Sequence, residues 1–160
     1  MFTRSLAAGA LLALALCSVA SAAAKPFPAP SGWDQVQQQT PSGGPQAFQM
    51  WKRGSGELQQ TVTFLNDPST SYDDLVQRIH KNIVDNKFKV SLDKDLTCDG
   101  KSGHLFSIAY GPDAHRVAVD RLIVPDGSGA VQITYMRPEP EPFANEVSSD
   151  LNGYCGSTVR

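Results

Sequence analysis

The residues best suited to chemistry are concentrated in one short stretch, DLTCDGKSGHLFSIAYG, at positions 95–111. It places one cysteine, Cys98, and one histidine, His104, beside two aspartates at the entrance to an apolar run. A thiol near an imidazole suits nucleophilic catalysis, carboxylates in a loop suit a metal, and a cysteine with a distant partner suits a disulfide. Each possibility makes a different demand on the rest of the chain.

The cysteine count favours the disulfide. The chain has three cysteines, and Cys17 falls in an N-terminal segment that we expect to be removed, which leaves Cys98 and Cys155. An even pair of cysteines in a small exported domain most often forms a disulfide. Because that bond consumes the thiolate, it would remove the nucleophile from a Cys98–His104 couple. We therefore predict a structural disulfide between Cys98 and Cys155.

Residues 1–24, MFTRSLAAGALLALALCSVASAAA, have the pattern of a secretory signal peptide. Arg4 is the only charge before an apolar run that is too short to span a bilayer, and an Ala-Ser-Ala sequence suited to cleavage follows. A lipoprotein anchor at Cys17 is disfavoured because Leu16 precedes it, and a retained membrane span is disfavoured because no basic flank follows. The sequence predicts a secreted or periplasmic protein without a stable membrane span.

The charge of the exported chain excludes one class of partner. The whole chain has 14 basic and 16 acidic residues, and the signal contains one of the basic ones, so the remaining charge is near −3. Nucleic-acid binders carry basic patches, and the densest basic run here is only NKFK at 86–89. We expect no nucleic-acid partner. The length suits a single domain with a modest core, and we expect a monomer that binds an unknown protein or small ligand.

No metal or cofactor site is predicted. The alternation of Asp95, Thr97 and Asp99 resembles the start of an EF-hand calcium loop. However, Phe106 occupies the position where that loop requires a bidentate glutamate. The two remaining cysteines and the scattered histidines lack the spacing of a zinc site, and no phosphate-binding P-loop is present. The carboxylates are therefore expected to be solvated turn residues.

No catalytic residue is predicted either. His104 and His115 flank a predicted strand that ends at Tyr110, so they would lie about 20 Å apart at ~3.3 Å per residue and could not reach one reacting group. His80 flanks the apolar stripe of a predicted helix and is expected to be a boundary residue. No G-x-S-x-G motif is present. The alternative to a binding protein is a small secreted hydrolase that uses Asp99, His104 or His115 as acid or base.

The elements that must position these residues follow an α+β pattern. Residues 25–45 are rich in Pro, Gly, Ser and Gln and are predicted to be a flexible N-terminal segment, with residues 46–160 forming a single domain. Apolar alternation at 46–52 and again from Leu58 to Phe64, around a Gly-Ser-Gly turn, predicts a β-hairpin.

A helix is predicted directly after the hairpin. Ser71 and Asp74 have the spacing of a capping box, and an apolar stripe with helical periodicity follows until Asn86. Beyond it we predict strands at 88–92, 104–110, 116–124 and 130–137, and a C-terminal helix from Phe143 to Cys155. The predicted fold is an antiparallel sheet of about five to six strands with one helix after the first hairpin and one at the C-terminus.

Three aromatic residues, Trp33, Trp51 and Tyr135, could form a binding surface or belong to the core. Aromatic residues in this number are ordinary core material, so the core is the favoured interpretation. Trp33 lies in the segment predicted to be flexible, where an indole more often anchors to the domain than serves as an exposed platform.

The order of these elements resembles the PsbP-like α/β/α sandwich, with a Gly-Trp pair near the mature start and a meander closed by a helix. The resemblance covers most of residues 31–155 and rests on architecture rather than on a motif. It implies a protein that binds partners rather than a catalyst, as in the photosystem extrinsic protein and small bacterial envelope proteins. We therefore expect a non-catalytic domain that binds a protein or ligand in the cell envelope.

Overall fold

A computed structural model describes residues 25–39 and 47–159. The signal peptide predicted for 1–24, with Cys17, and the connector at 40–46 lie outside these residues. In the part of the chain that is described, no helix is long and apolar enough to cross a membrane.

The described residues form a seven-stranded sheet in which every neighbouring pair is antiparallel. The spatial order is β1-β2-β3-β7-β6-β5-β4. The α+β class is thus confirmed, and the sheet is larger than the predicted five to six strands. The strands are β1 (Asp34–Gln39), β2 (Ala47–Arg53), β3 (Gln60–Asp67), β4 (Lys89–Cys98), β5 (Lys101–Tyr110), β6 (Val117–Asp126) and β7 (Gly129–Pro138).

The additional strand, β1, lies in the segment that was predicted to be flexible. It pairs with β2 at the edge of the sheet. Just before it, Phe27 and Trp33 are buried in the core, at 2% and 8% exposure. The β1 sequence DQVQQQ contains a single apolar residue, so no alternation revealed the strand. Residues 34–39 therefore form a strand where the sequence indicated no regular structure, and they are held by backbone pairing with β2 and by the apolar anchors before them.

β4 has ten residues, where the sequence predicted only a short strand at 88–92. Beyond Leu92 its side chains alternate between partly buried and exposed positions, because among the described strands β4 pairs only with β5, at the edge of the sheet. Its charged residues, among them Asp93 and Asp95, made this segment look like a loop in the sequence. The longer strand places both aspartates on the sheet.

The first helix, α1 (Tyr72–Asp85), begins as the sequence predicted. The backbone N–H of Asp74 donates to Ser71 Oγ at 3.1 Å, and the Ser71 hydroxyl donates to the Asp74 carboxylate at 2.7 Å. The helix ends at Asn86, and its apolar stripe packs on one face of the sheet over β6 and β7. The predicted cap and amphipathic stripe are both confirmed.

The second helix, α2 (Asn145–Cys155), covers the opposite face of the sheet together with the N-terminal segment. Trp33, Trp51 and Tyr135 all lie in the core on this side, with at most 8% exposure. They contact other aromatic rings, such as Tyr135 with the ring of Phe143 at 4.9 Å between centroids. The three side chains are therefore buried in the core on the α2 face.

The predicted hairpin and meander are present, with β2 paired to β3 and β5, β6 and β7 in sequence. The exception is Leu58, which was predicted to begin the second strand of the hairpin. It lies instead in a 3-10 turn, Gly56–Leu58, and is 66% exposed. Gly54 and Gly56 adopt positive φ angles there. The turn is therefore longer than the sequence predicted, and β3 begins at Gln60.

The two cysteines of the predicted mature chain meet in the structure. The Sγ atoms of Cys98 and Cys155 lie 2.03 Å apart, at disulfide distance, and connect the end of β4 to the end of α2. Both residues are buried in the core on the α2 face. The backbone N–H of Asp99 donates to the carbonyl of Cys155 at 2.8 Å, so the two elements are also joined through their main chains.

Candidate functional site

The residues of the alternative hydrolase are kept apart by the sheet. Asp99 lies in the turn between β4 and β5, His104 lies within β5, and His115 lies beyond the other end of β5. That end is marked by the pairing of Tyr110 with Val117. Six residues of extended strand, about 20 Å at ~3.3 Å per residue, separate it from His104. This arrangement agrees with the separation that the predicted hairpin implied.

A different group of histidines and aspartates comes together at the edge of the sheet. His104 Nε2 lies 2.7 Å from Asp93 Oδ1, and His104 Nδ1 lies 2.8 Å from Asp95 Oδ1. His80 on α1 approaches from above, with its Nδ1 3.4 Å from Asp93 Oδ2. The ring of Phe106 lies beside both imidazoles, with centroids 4.8 Å from His80 and 4.2 Å from His104. We call His80, Asp93, Asp95 and His104 the His–Asp cluster.

The His–Asp cluster is open to solvent on one side. His104 is buried, at 6% exposure. The side chains of His80 and Asp93 are 45% and 36% exposed, and Asp95 is more exposed still. Small solutes can therefore reach the cluster from the β4 edge, while Phe106 limits it on the side of the core.

The sequence interpretation missed this grouping because it took His80 for a boundary residue and considered His104 only with Cys98 and with His115. One signal could have found it. Asp93 and Asp95 are two residues apart, so on a strand they share a face, and Asp95 pairs directly opposite His104. Using that signal required β4 to be predicted as far as Asp95, which its charged sequence did not suggest.

A cavity of about 230 Å³ lies between α1 and the sheet. We call it the α1 pocket. The wall of the pocket is formed by α1, by Phe88 just beyond the C-terminal end of that helix, and by β5, β6 and β7. Most of the lining side chains are apolar. The apolar lining residues are Ile79, Ile83, Phe88, Ile108, Val119 and Met136.

One cationic side chain, Arg121, lies in the α1 pocket. It belongs to β6, where it pairs opposite Phe106 on one side and Thr134 on the other. Its Nε is buried without a hydrogen-bond partner, and no carboxylate of the described residues forms an ion pair with it. Burial lowers the pKa of the Arg121 guanidinium, and the nearby Tyr110 hydroxyl acts in the opposite direction. An isolated buried donor of this kind is uncommon in folded proteins.

More positive charge lies beside the α1 pocket. Phe88 and Tyr110, whose ring centroids are 5.4 Å apart, belong both to this pocket and to a neighbouring depression. Lys87 and Lys89, both exposed, line that depression. The local potential therefore favours the approach of an anion over that of a cation.

The cleft on the α2 side of the sheet has a different electrostatic character. It is lined by charged residues that include Asp120, Arg137 and Glu141. Arg137 forms an ion pair with the buried Asp120 and donates through its Nε to the carbonyl of Glu141 at 2.9 Å. The buried guanidinium of this cleft is thus compensated within the protein, in contrast to that of Arg121.

Comparisons with known proteins give the fold but not a family. No family model and no curated protein matches the chain. It is similar to the solved structure of PA94, a Pseudomonas aeruginosa protein of unknown function, with a TM-score of 0.50 and 14% identity, covering 67% of this chain and 83% of that one. The STAR-related lipid transfer protein of Xanthomonas axonopodis has a TM-score of 0.33 and 10% identity, covering 80% and 94%.

The likeness to PA94 shows a shared fold and nothing further. The likeness to the lipid transfer protein is too low to support an argument. The likeness to PA94 supports the general α+β architecture, and the PsbP-like assignment stays a prediction.

Proposed function

We propose that this protein is a secreted or periplasmic, non-catalytic binding domain that holds a small apolar carboxylate in the α1 pocket. The observation that carries the proposal is the buried Nε of Arg121, which has no hydrogen-bond partner among the described residues and lies in an otherwise mostly apolar cavity. Ligand pockets are typically lined by apolar side chains with a few polar groups that fix the orientation of the ligand. The α1 pocket has this composition.

A carboxylate is the group that best complements Arg121. Burying a charge without a partner is unfavourable, and removing that penalty favours any ligand that supplies the opposite charge. A guanidinium presents planar donors that pair with a carboxylate through two parallel hydrogen bonds. Such a ligand would also give Arg121 Nε the acceptor that the described residues do not provide.

The volume of the α1 pocket limits the apolar part of the ligand. An engineered apolar cavity of about 150 Å³ in another protein holds benzene. The α1 pocket, at about 230 Å³, therefore suits a body somewhat larger than one six-membered ring. Medium-chain fatty acids and single-ring aryl acids meet this limit.

The proposed location outside the cytoplasm rests on two features. The first is the signal-peptide pattern of residues 1–24. The second is the buried Cys98–Cys155 pair at disulfide distance, since disulfides persist in oxidising compartments. A carrier or sensor of small acids in the cell envelope is consistent with both.

Calorimetric binding of octanoate and of 1-octanol tests the proposal, because the two molecules share an alkyl chain and differ in the carboxylate. We expect octanoate to bind about tenfold or more tightly than 1-octanol. A hydrogen bond to a charged group contributes about 1.5–3 kcal/mol, which corresponds to at least that ratio.

Substitution of the arginine provides the matched experiment. Arg121→Met should abolish the preference for octanoate while leaving the unliganded protein as stable as before or more so, because it removes a partly buried charge that has no carboxylate partner among the described residues. Arg78→Met, at an exposed position of α1, should change neither property. Equal affinity of the wild type for both molecules, or a preference that survives Arg121→Met, would refute the proposal.

A further inference from the structure

We propose that the His–Asp cluster binds a divalent first-row transition-metal ion, with His80, Asp93 and His104 as the protein ligands. The three ligands come from three elements, α1, β4 and β5. A bound ion would therefore join the helix to the edge of the sheet. This site is distinct from the α1 pocket, and neither proposal depends on the other.

The ligand atoms are already grouped around a position that one ion can occupy. One nitrogen of each histidine and one carboxylate oxygen of Asp93 all lie within 4.8 Å of one another. Zinc binds such atoms at about 2.0–2.2 Å, so two ligand atoms on a tetrahedral ion are about 3.3 Å apart. Asp93 Oδ1 lies 2.7 Å from His104 Nε2, and the other oxygen, Oδ2, lies 3.4 Å from His80 Nδ1, on either side of that value. Small side-chain rotations are enough to complete the site.

Asp95 holds His104 in the orientation that coordination requires. Its carboxylate accepts a hydrogen bond from Nδ1–H of His104 at 2.8 Å, which directs Nε2 toward Asp93. Metal-binding histidines usually donate their second ring nitrogen to a carboxylate or carbonyl in this way. Phe106 restricts both imidazole rings from below. Asp95 is thus a positioning residue rather than a ligand.

The donor set indicates the kind of ion. Two imidazoles with one carboxylate suit Zn²⁺, Co²⁺ and Ni²⁺, whereas Ca²⁺ and Mg²⁺ prefer sites made entirely of oxygen. The partial exposure of His80 and Asp93 leaves space for solvent to supply a fourth ligand.

A purely structural ion pair is the competing explanation for the cluster. A protonated His104 between Asp93 and Asp95 would account for its own two contacts. It would leave His80 with one longer contact, its Nδ1 3.4 Å from Asp93 Oδ2, and with no hydrogen bond to His104, whose ring centroid lies 5.5 Å away. A metal ion gives both imidazoles a role, so His80 is the residue that separates the two explanations.

Titration of the native chain, purified without a histidine tag, with Zn²⁺ and Co²⁺ tests the proposal. We expect one Zn²⁺ per chain by calorimetry, visible absorption bands for bound Co²⁺, and no displacement by equimolar Ca²⁺ or Mg²⁺. Asp95→Asn should weaken Zn²⁺ binding by about 10- to 100-fold, as the loss of a ligand's hydrogen-bond partner does elsewhere, and His80→Ala should weaken it more.

The matched control is His115→Ala. His115 also lies beside a carboxylate, that of Glu57 at 3.5 Å, but has no third ligand among the described residues. Its loss should leave Zn²⁺ affinity unchanged. The absence of stoichiometric Zn²⁺ binding, or equal losses in His80→Ala and His115→Ala, would overturn the proposal. Because His80→Ala changes a half-exposed side chain, it avoids the risk to folding that substitution of the buried His104 carries.

Discussion

The carboxylate of Glu146 joins three parts of the molecule. It accepts hydrogen bonds from Trp33 Nε1, at 3.1 Å, and from the Arg53 guanidinium. The same guanidinium lies over the Trp33 indole, 5.0 Å from its centroid. The N-terminal segment, β2 and the first turn of α2 therefore depend on one side chain.

We predict that Glu146→Gln destabilises the protein by about 1 kcal/mol or less at pH 7, since the pair is partly exposed, and by less at about pH 3 than at pH 7. The pKa of Glu146 is lowered chiefly by a hydrogen bond from its own backbone N–H, with help from Trp33 and Arg53. Its stabilising contribution is therefore complete above the ordinary value of 4.5 and disappears as the pH falls through the lower folded pKa. Urea denaturation at the two pH values measures the difference.

Asp150 on the same helix provides a control of opposite sign. Burial, together with the charge of Glu146, raises its pKa, so its ionised form opposes folding. Asp150→Asn should therefore raise stability at pH 7 and have little effect at about pH 3. A loss in Glu146→Gln that does not vary with pH would contradict this account.

At the level of single residues, only part of the candidate sites could be predicted from the sequence. Asp120 and Arg121 were not singled out from the sequence, because two adjacent charges in one strand do not tell which of them has a partner. The fold gives Asp120 the distant Arg137 and leaves Arg121 in an apolar cavity. Pairing between elements that are far apart in sequence decides the difference.

Among the elements, α1 serves both proposed sites. It contributes His80 to the His–Asp cluster and two buried isoleucines, Ile79 and Ile83, to the α1 pocket. Its first turn is fixed by Ser71, which accepts from the backbone N–H of Asp74. The stability of this cap therefore bears on the geometry of both sites.

We predict that Ser71→Ala lowers the free energy of unfolding by about 1 kcal/mol, because it removes the acceptor for a backbone N–H at the helix start. Ser149→Ala, at an exposed position within α2, is the matched control and should be neutral or slightly stabilising, since alanine favours a helix interior. Chemical denaturation compares the two. Equal effects of both substitutions would show that the cap contributes nothing.

Elements with strong apolar periodicity were predicted from the sequence, whereas strand segments at the two edges of the described sheet were not. The stripe of α1 follows directly from a period of 3.6 residues, and the meander strands follow from runs bounded by turn residues. β1 and the second half of β4 have few apolar side chains, and their conformation is imposed by pairing with β2 and β5. In both segments, pairing with the neighbouring strand determined the conformation in spite of the polar composition.

Considered as a whole, the molecule has two cores separated by one sheet. The core on the α2 face is larger and contains the Cys98–Cys155 pair, whereas the core on the α1 face contains the cavity. The Cys98–Cys155 pair therefore lies on the face of the sheet opposite to both proposed sites.

We predict that the Cys98→Ser/Cys155→Ser double variant loses about 4 kcal/mol of stability in the loop-entropy model. The two residues are separated by 57 positions, so the bond restricts a large part of the unfolded chain. Reductant should destabilise the wild type by a similar amount and leave the double variant unaffected. Wild-type stability that is insensitive to reductant, with both thiols open to alkylation, would contradict the prediction.

Segments from opposite ends of the described chain are packed together in the α2-face core. The ring centroid of Phe27 lies 5.8 Å from that of Trp51 and 6.3 Å from that of Tyr154, and Val159 is wholly enclosed in the same cluster. The α2-face core cannot form while either segment is still inside a ribosome or a translocation channel. A chain threaded across a membrane from its N-terminus would therefore stay unfolded in transit, and would acquire its structure only on the side where it arrives.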